Sequence, residues 1–265
     1  MLDSANFKVN LGLYVTEKRA DGFHNLETIF VPVHNVCDRI EVVPNNGNVA
    51  FTMTGADFQV DAEKNLCVKA FRLLQQDFDL PGITITLEKN IPSGAGLGGG
   101  SADAATVLKM VNKQFGLGLS TERLCEYAAR LGSDVPFFIE NRPMYATGRG
   151  EIMQEIDIDL SEWKVSVFKP DFSISTAEAY AHIVPISGRP HLCNLIHEPV
   201  EKWQNLFTND FETSLFPSYP ILAEIKQKFL AMGAVYAALS GSGSAVFALA
   251  PHPIDLSPYF SGKNL

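Results

Sequence analysis

The residues with the clearest chemical potential run from Pro92 to Ala105: Pro92-Ser93-Gly94-Ala95-Gly96-Leu97-Gly98-Gly99-Gly100-Ser101-Ala102-Asp103-Ala104-Ala105. Five glycines fall within the seven positions 94–100. Glycine lacks a Cβ, so such a run can take positive φ and lets another molecule's atoms come close to the backbone. An alanine-rich helical pattern follows at once. The free N–H groups at the start of that helix, together with its dipole, favour an anion. The stretch reads as a phosphate cradle. A plain turn between strand and helix would not need five glycines, each of which costs conformational entropy on folding.

Two common cradles fit poorly. Gly94, Gly96 and Gly99 satisfy the G-x-G-x-x-G of dinucleotide-binding loops. That unit also wants a second strand ending in Asp or Glu about 20 residues on, and here the distance falls in a helical pattern around Glu122. A Walker loop needs Gly-Lys-Ser/Thr, because its lysine reaches the β- and γ-phosphates. The sequence has Gly100-Ser101-Ala102 and no lysine.

The elements around the loop follow from periodicity. Residues 8–15 alternate polar and apolar as a half-buried strand does, with Lys8 and Asn10 on its polar face. Residues 18–25 form a loop by their Asp-Gly pair. Short strands are predicted at 28–33, 40–43 and 49–53, with Asn45-Asn46-Gly47 as a hairpin turn. A helix is predicted over 63–78, and the strict alternation of 83–89 makes a strand leading into the glycine loop. After the loop, Ala104, Leu108, Val111 and Phe115 repeat at helical spacing, with Gly116 as C-cap. Ser120 caps a second helix closed by Gly132. Asp134 stands between that stop and the apolar run 135–138. Gly148-Arg149-Gly150-Glu151 makes a tight turn, and 164–169 a strand. The S-x-x-E box at 175–178 starts a helix near Thr176, and Pro220 opens another that ends at Gly233. Residues 234–239 and 244–250 read as strands around Ser240-Gly241-Ser242-Gly243.

Composition bounds the class. The chain has 265 residues, 46% of them hydrophobic and 19% charged, enough for one large domain or two ordinary ones. No stretch approaches 18 uninterrupted apolar residues, and the opening Met1-Leu2-Asp3-Ser4 has no basic region, so a cytoplasmic location is expected. Cys37, Cys67, Cys125 and Cys193 form no C-x-x-C pair and are expected to be reduced. His191, Cys193 and His197 lack the spacing of a zinc site, and no side-chain metal centre is expected. A formal charge of −9 argues against nonspecific nucleic-acid binding, and neither nucleic acid nor membrane is an expected partner.

The form Pro-x-Gly-x-Gly-Leu-Gly-Gly-Gly-Ser-x-Asp-Ala-Ala resembles the second motif of the GHMP kinases (galactokinase, homoserine, mevalonate and phosphomevalonate kinases). Asn6-Phe7-Lys8-Val9-Asn10-Leu11 and Arg19-Ala20-Asp21-Gly22-Phe23-His24 resemble, within that superfamily, the 4-diphosphocytidyl-2-C-methyl-D-erythritol kinase family. So do Gly132-Ser133-Asp134-Val135-Pro136-Phe137-Phe138 and Gly148-Arg149-Gly150-Glu151. Leu239-Ser240-Gly241-Ser242-Gly243-Ser244-Ala245-Val246-Phe247 matches the third superfamily motif, and Asn209-Asp210-Phe211-Glu212 a further segment. The resemblance covers nearly the whole chain, with the motifs in order.

The resemblance implies an α+β, two-domain GHMP kinase fold with the active site in the cleft between domains 1–155 and 156–265. It implies transfer of the γ-phosphoryl group of ATP, with Mg²⁺, to the 2-hydroxyl of the cytidyl alcohol in non-mevalonate isoprenoid synthesis. Asp134 would be the general base and Lys8 would hold it ionised and counter charge on the moving group. Pro92, Ser93, Gly94, Ala95, Gly96, Leu97, Gly98, Gly99, Gly100, Ser101 and Ala102 would wrap the triphosphate, with Asn65 and Leu66 near the adenine. Asn10 would bind substrate, and Phe23, His24, Thr176 and Tyr180 would line the cytosine pocket, with the base between Phe23 and Tyr180. Phe23 stands where many members have tyrosine. The alternatives are another small-alcohol kinase of the homoserine or mevalonate type, or a non-catalytic nucleotide sensor on the same fold. The expected state is a monomer or homodimer.

Overall fold

β1 (Leu2–Lys18) and β2 (His24–Asn45) are far longer than the short strands predicted for the opening region. The segments 28–33 and 40–43 are parts of one strand, because residues 34–39 between them keep an extended backbone with no Gly or Pro to interrupt it. The computed structural model describes residues 1–55 and 61–265. Its contacts divide the chain into two units, each built from separated stretches of sequence.

The first unit holds residues 1–7, 34–93 and 98–142 among those described. Here β3 (Ala50–Thr54) follows β2, α1 (Leu66–Gln75) comes next, and β4 (Gly82–Glu88) leads to the glycine loop. The end of β2 pairs antiparallel with β4, from Arg39 opposite Glu88 to Asn45 opposite Gly82, while β3 runs parallel on the other side of β4. Asn45-Asn46-Gly47 therefore closes no hairpin: β4 lies between the two strands that the turn was predicted to pair. Its turn is made instead by the Asn45 Oδ1, which accepts the Gly47 N–H at 2.8 Å.

α1 starts later than the periodicity predicts, because Asn65 caps it by accepting the Cys67 N–H at 2.8 Å, after a short 3₁₀ turn at Ala62–Lys64. α2 (Gly99–Gln114), α3 (Thr121–Leu131) and the six-residue α4 (Val135–Glu140) complete this unit. α2 packs on the other three helices with Ala104, Val107, Leu108 and Val111 fully buried. Ser120 caps α3 by accepting the Arg123 N–H, as predicted.

The second unit holds residues 8–33, 94–97 and 143–265. The start of β2 pairs with β5 (Met144–Thr147), which forms a hairpin with β6 (Ile152–Glu155) around the turn at 148–151. A four-stranded sheet adds β7 (Lys164–Pro170), β8 (Tyr236–Leu239), β9 (Val246–Ala250) and β10 (Gly262–Asn264), in the order β10-β7-β9-β8. The helices are α5 (Thr176–Ala181), α6 (Leu192–Leu195), α7 (Trp203–Leu206), α8 (Asp210–Leu215) and α9 (Pro220–Ala231). Phe168, Phe211, Ile225, Phe229 and Leu239 form its core. α5 begins where the capping box predicts, with the Ser175 hydroxyl accepting the Glu178 N–H at 3.1 Å.

Candidate active site

The alternation of residues 8–15 predicts a half-buried strand, yet residues 5–14 of β1 are buried on both faces, and Lys8 and Asn10 are only 3% and 2% exposed. A buried ammonium is costly unless its donors find acceptors. Lys8 Nζ donates to Asn10 Oδ1 at 2.6 Å and to the Gly96 carbonyl at 2.8 Å, and it lies 5.2 Å from the centre of the Phe30 ring. Asn10 Nδ2 donates to Thr28 Oγ1 at 3.0 Å, and the Thr28 hydroxyl donates to the Gly12 carbonyl at 2.6 Å. The Lys8 amide N–H also donates to the Leu97 carbonyl at 3.0 Å. Lys8, Asn10 and the middle of the glycine loop are thus brought together. Thr28 and Phe30 were not singled out in the sequence, since nothing in their spacing marks them.

The loop alternates in character. Ala95 and Leu97 are buried and act as anchors, whereas Gly94, Gly96 and Gly98 take φ of 63°, 74° and 72°. A Cβ on Gly96 would lie 2.0 Å from the Ser240 carbonyl oxygen, so this close approach admits only glycine. The Ser240 hydroxyl donates to the Gly96 carbonyl at 3.1 Å, and the Ala245 N–H to the Ala95 carbonyl at 3.2 Å. Asn209 Nδ2 holds this turn by donating to the carbonyls of Leu239 and Gly241 at 2.8 and 2.9 Å.

Gly98 is the N-cap of α2 and offers no side chain to its first-turn N–H groups. A 16-residue helix whose first turn is uncapped, entered through left-handed glycines, suits an anion such as a triphosphate. Ser101 lies in that first turn, and Leu66 lies beside it, 3.9 Å from where a Gly100 Cβ would be. Asn65 spends its side-chain oxygen on the α1 cap. Pro92 and Ser93 precede the left-handed glycines, and Ala102 is buried in α2.

Asp134 occupies the N-cap position of α4, a helix that the sequence reading did not include, and makes no side-chain cap bond there. His24, at the start of β2, stacks on Tyr180 of α5 with ring centroids 4.7 Å apart and planes inclined by 19°. Burial, with the Lys18 charge adding, holds the His24 imidazole below its usual pKa, which favours the neutral ring at pH 7. The ring on Tyr180 is therefore His24, while Phe23 is 55% exposed with the Arg149 guanidinium 5.1 Å over its face. Thr176 is exposed at the first turn of α5. A separate cavity of about 540 Å³ is lined by Tyr14, Arg19, Glu27 and Arg189, among others, but both arginines are already paired, with Asp21 and Asp210. Among the described residues no cluster of three or more His, Cys, Asp or Glu side chains could hold a metal, and no helix is long and apolar enough to cross a membrane.

The family described as GHMP kinases N terminal domain matches residues 65–142, and GHMP kinases C terminal matches residues 194–257. A 4-diphosphocytidyl-2-C-methyl-D-erythritol kinase of Bacteroides fragilis is 48% identical over 252 residues, covering 94% of this chain and 92% of the relative. The chain belongs to this kinase family. A relative of the same name from Azobacteroides pseudotrichonymphae is 46% identical, covering 96% of this chain and 94% of its own. A crystal structure of a 4-(cytidine 5'-diphospho)-2C-methyl-D-erythritol kinase superposes with a TM-score of 0.80 at 33% identity, over 94% of this chain and 90% of that one. Likeness to the Methanococcus jannaschii mevalonate kinase, with a TM-score of 0.70 at 14% identity, extends over all of this chain and 96% of that one and shows a shared fold. The α+β GHMP kinase architecture expected from the motifs is thereby established, and membership of a kinase family entails use of ATP.

Gly96→Ala is expected to lower stability by about 1–2 kcal/mol through left-handed backbone strain alone, with the overlap on Ser240 adding to this. Chemical denaturation measures it, and an unchanged midpoint would remove the close approach from the account.

Proposed function

We propose that the chain transfers the γ-phosphoryl group of ATP to the 2-hydroxyl of 4-diphosphocytidyl-2-C-methyl-D-erythritol, in the making of isoprenoid precursors outside the mevalonate route. The names of relatives at 39–48% identity support the substrate. The observation that carries the chemistry is the buried Lys8 ammonium fixed between the glycine-loop carbonyl of Gly96 and Asn10. By sequence, residues 1–155 are assigned to ATP binding and 156–265 to the C-terminal domain, divisions inside which the two family matches fall, while residues 8–33, 94–97 and 143–155 of the former belong to the second compact unit.

Phosphoryl transfer asks a protein mainly for positioning and for charge stabilisation. The bond from the acceptor oxygen to the γ-phosphorus forms as the bond to the β,γ-bridging oxygen breaks, and ADP leaves. Asp134 takes the proton of the acceptor hydroxyl as general base. Lys8 counters negative charge on the transferring group, and because its ammonium is already held by protein acceptors it needs little reorganisation. Asn10, sharing the Lys8 network, orients the acceptor. The residues 92–102 wrap the triphosphate, with N–H groups of the first turn of α2 facing its oxygens. Mg²⁺ neutralises the triphosphate when bound, and the Ser101 hydroxyl is the loop's candidate contact to it. Leu66 and Asn65 flank the adenine.

The cytosine pocket is assigned to His24, Phe23, Tyr180 and Thr176. His24 already rests on Tyr180, so a base that enters between aromatic faces must displace one ring from the other. A neutral His24 offers both a donor and an acceptor to the polar edge of cytosine. Phe23 provides stacking without the hydroxyl of tyrosine, and its exposed face is available once Arg149 moves.

Asp134→Asn is expected to cut kcat by about 10²- to 10⁴-fold while ATP binding stays nearly intact. Steady-state kinetics with nucleotide titration measures both, and a large loss of ATP affinity in place of kcat would refute the base. His24→Ala is expected to raise KM for the cytidyl alcohol far more than KM for ATP. Equal effects on the two would contradict the pocket.

A further inference from the structure

The stems of the glycine loop carry a buried charge cluster that the phosphoryl-transfer scheme does not use. Asp38 of β2, Lys89 just after β4, and Asp103 of α2 are 0%, 6% and 3% exposed. Lys89 Nζ donates to Asp38 Oδ2 and, at 2.8 Å, to Asp103 Oδ2. Asp38 Oδ1 accepts the N–H groups of Asn90 at 2.6 Å and Ile91 at 2.8 Å. One carboxylate therefore fixes the backbone that leads into Pro92. On the exit side, Gly99 lies directly on the cluster: a Cβ there would be 3.0 Å from Ile91 Cγ2 and 3.4 Å from Lys89 Nζ.

Two carboxylates share one ammonium, so full ionisation would leave an uncompensated negative charge in the interior, which is costly. Asp38 is satisfied at both oxygens, whereas Asp103 Oδ1 is buried without a partner. The proton that relieves the excess charge belongs on Asp103. Burial, opposed by the Lys89 charge and reinforced by Asp38, pushes the Asp103 carboxyl up to about 7. The groups that face it are Asp38, Lys89 and the Cys67 thiol of α1, itself pushed up chiefly by burial. Burial alone would lower Lys89, but the two carboxylates outweigh it and keep the ammonium charged.

We propose that Asp38, Lys89 and Asp103 are positioning residues that clamp both stems of the glycine loop, and that the proton on Asp103 sets how firmly the loop is held for nucleotide. The proposal rests on the reading of this loop as the ATP site. With Asp103 neutral, Lys89 and Asp38 are a balanced pair and the stems are fixed. When Asp103 ionises, the excess charge favours water entry and displacement of the start of α2. An unfolded aspartate titrates at about 3.9. The folded chain therefore keeps a proton that the unfolded chain has lost, and the resulting stabilisation is complete below about pH 4 and disappears as pH rises through about 7.

The test compares wild type with Asp103→Asn, whose amide is neutral at every pH, by ATP titration calorimetry and thermal unfolding at pH 6 and pH 8. The two proteins should bind ATP alike at pH 6, and at pH 8 the variant should bind several-fold more tightly and melt at a higher temperature relative to wild type. KM for the alcohol should not differ between them. Asp38→Asn leaves Lys89 and Asp103 as a balanced pair, so it should flatten the same pH dependence and gives the readout if the first variant does not fold. Parallel pH dependence in all three proteins would overturn the proposal. If no protein binds ATP at either pH, the nucleotide reading has failed, while the melting temperatures still decide whether Asp103 titrates as stated.

Discussion

The carbonyl oxygen of Gly96 is the point on which the second unit turns. It accepts from the Lys8 ammonium and from the Ser240 hydroxyl, at 2.8 and 3.1 Å. Strand β1, the glycine loop and the turn before β9 are thereby tied to one backbone atom. The arrangement is demanding, because the ammonium of a lysine that is only 3% exposed must be matched by acceptors. Asn10 and Gly96 supply them, and Thr28 in turn fixes Asn10. The sub-van-der-Waals space beside Gly96 is the geometric cost of bringing these three segments so close, and glycine is the residue that meets it.

The centre and the stems of the same loop are held differently. Its central residues 94–97 are tied to Lys8, Ser240 and Ala245, while its stems are tied to Asp38 and Lys89. In both places a buried charged side chain is hydrogen-bonded to loop backbone, Lys8 to the Gly96 carbonyl and Asp38 to the N–H groups of Asn90 and Ile91, and leaving such a charge unpaired in the interior is costly. Such anchors make a loop of glycines, flexible by composition, into a shaped surface. That shape, more than the glycines themselves, is what the proposed triphosphate site requires, since phosphoryl transfer is helped chiefly by fixed geometry.

Much of this was legible in the sequence, and the reasons for the rest are physical. Caps at Ser120 and Ser175 act within three residues of their helices, so local pattern found them. The glycine loop stood out by residue type and spacing, whereas the alternation at Lys8 and Asn10 suggested a half-exposed polar face and only the family resemblance singled the two out for the site. The pairing of β4 between β2 and β3 was not, because strand order is a long-range property and Asn45-Asn46-Gly47 reads locally as a hairpin turn. α4 escaped notice because six residues that open Val-Pro carry too little periodicity. The cluster of Asp38, Lys89 and Asp103 spans sequence separations of 51 and 14 residues, and no spacing rule joins them. Likewise His24 and Tyr180 were each singled out, but their stacking on one another, with Phe23 under Arg149, appears only in three dimensions.

The most direct test of the central claim is an ADP-release assay of the whole chain with ATP and a panel of alcohols. The account predicts that kcat/KM for 4-diphosphocytidyl-2-C-methyl-D-erythritol exceeds that for homoserine or mevalonate by several orders of magnitude. Equal or faster turnover of homoserine or mevalonate, or no ADP release with the cytidyl alcohol, would contradict it.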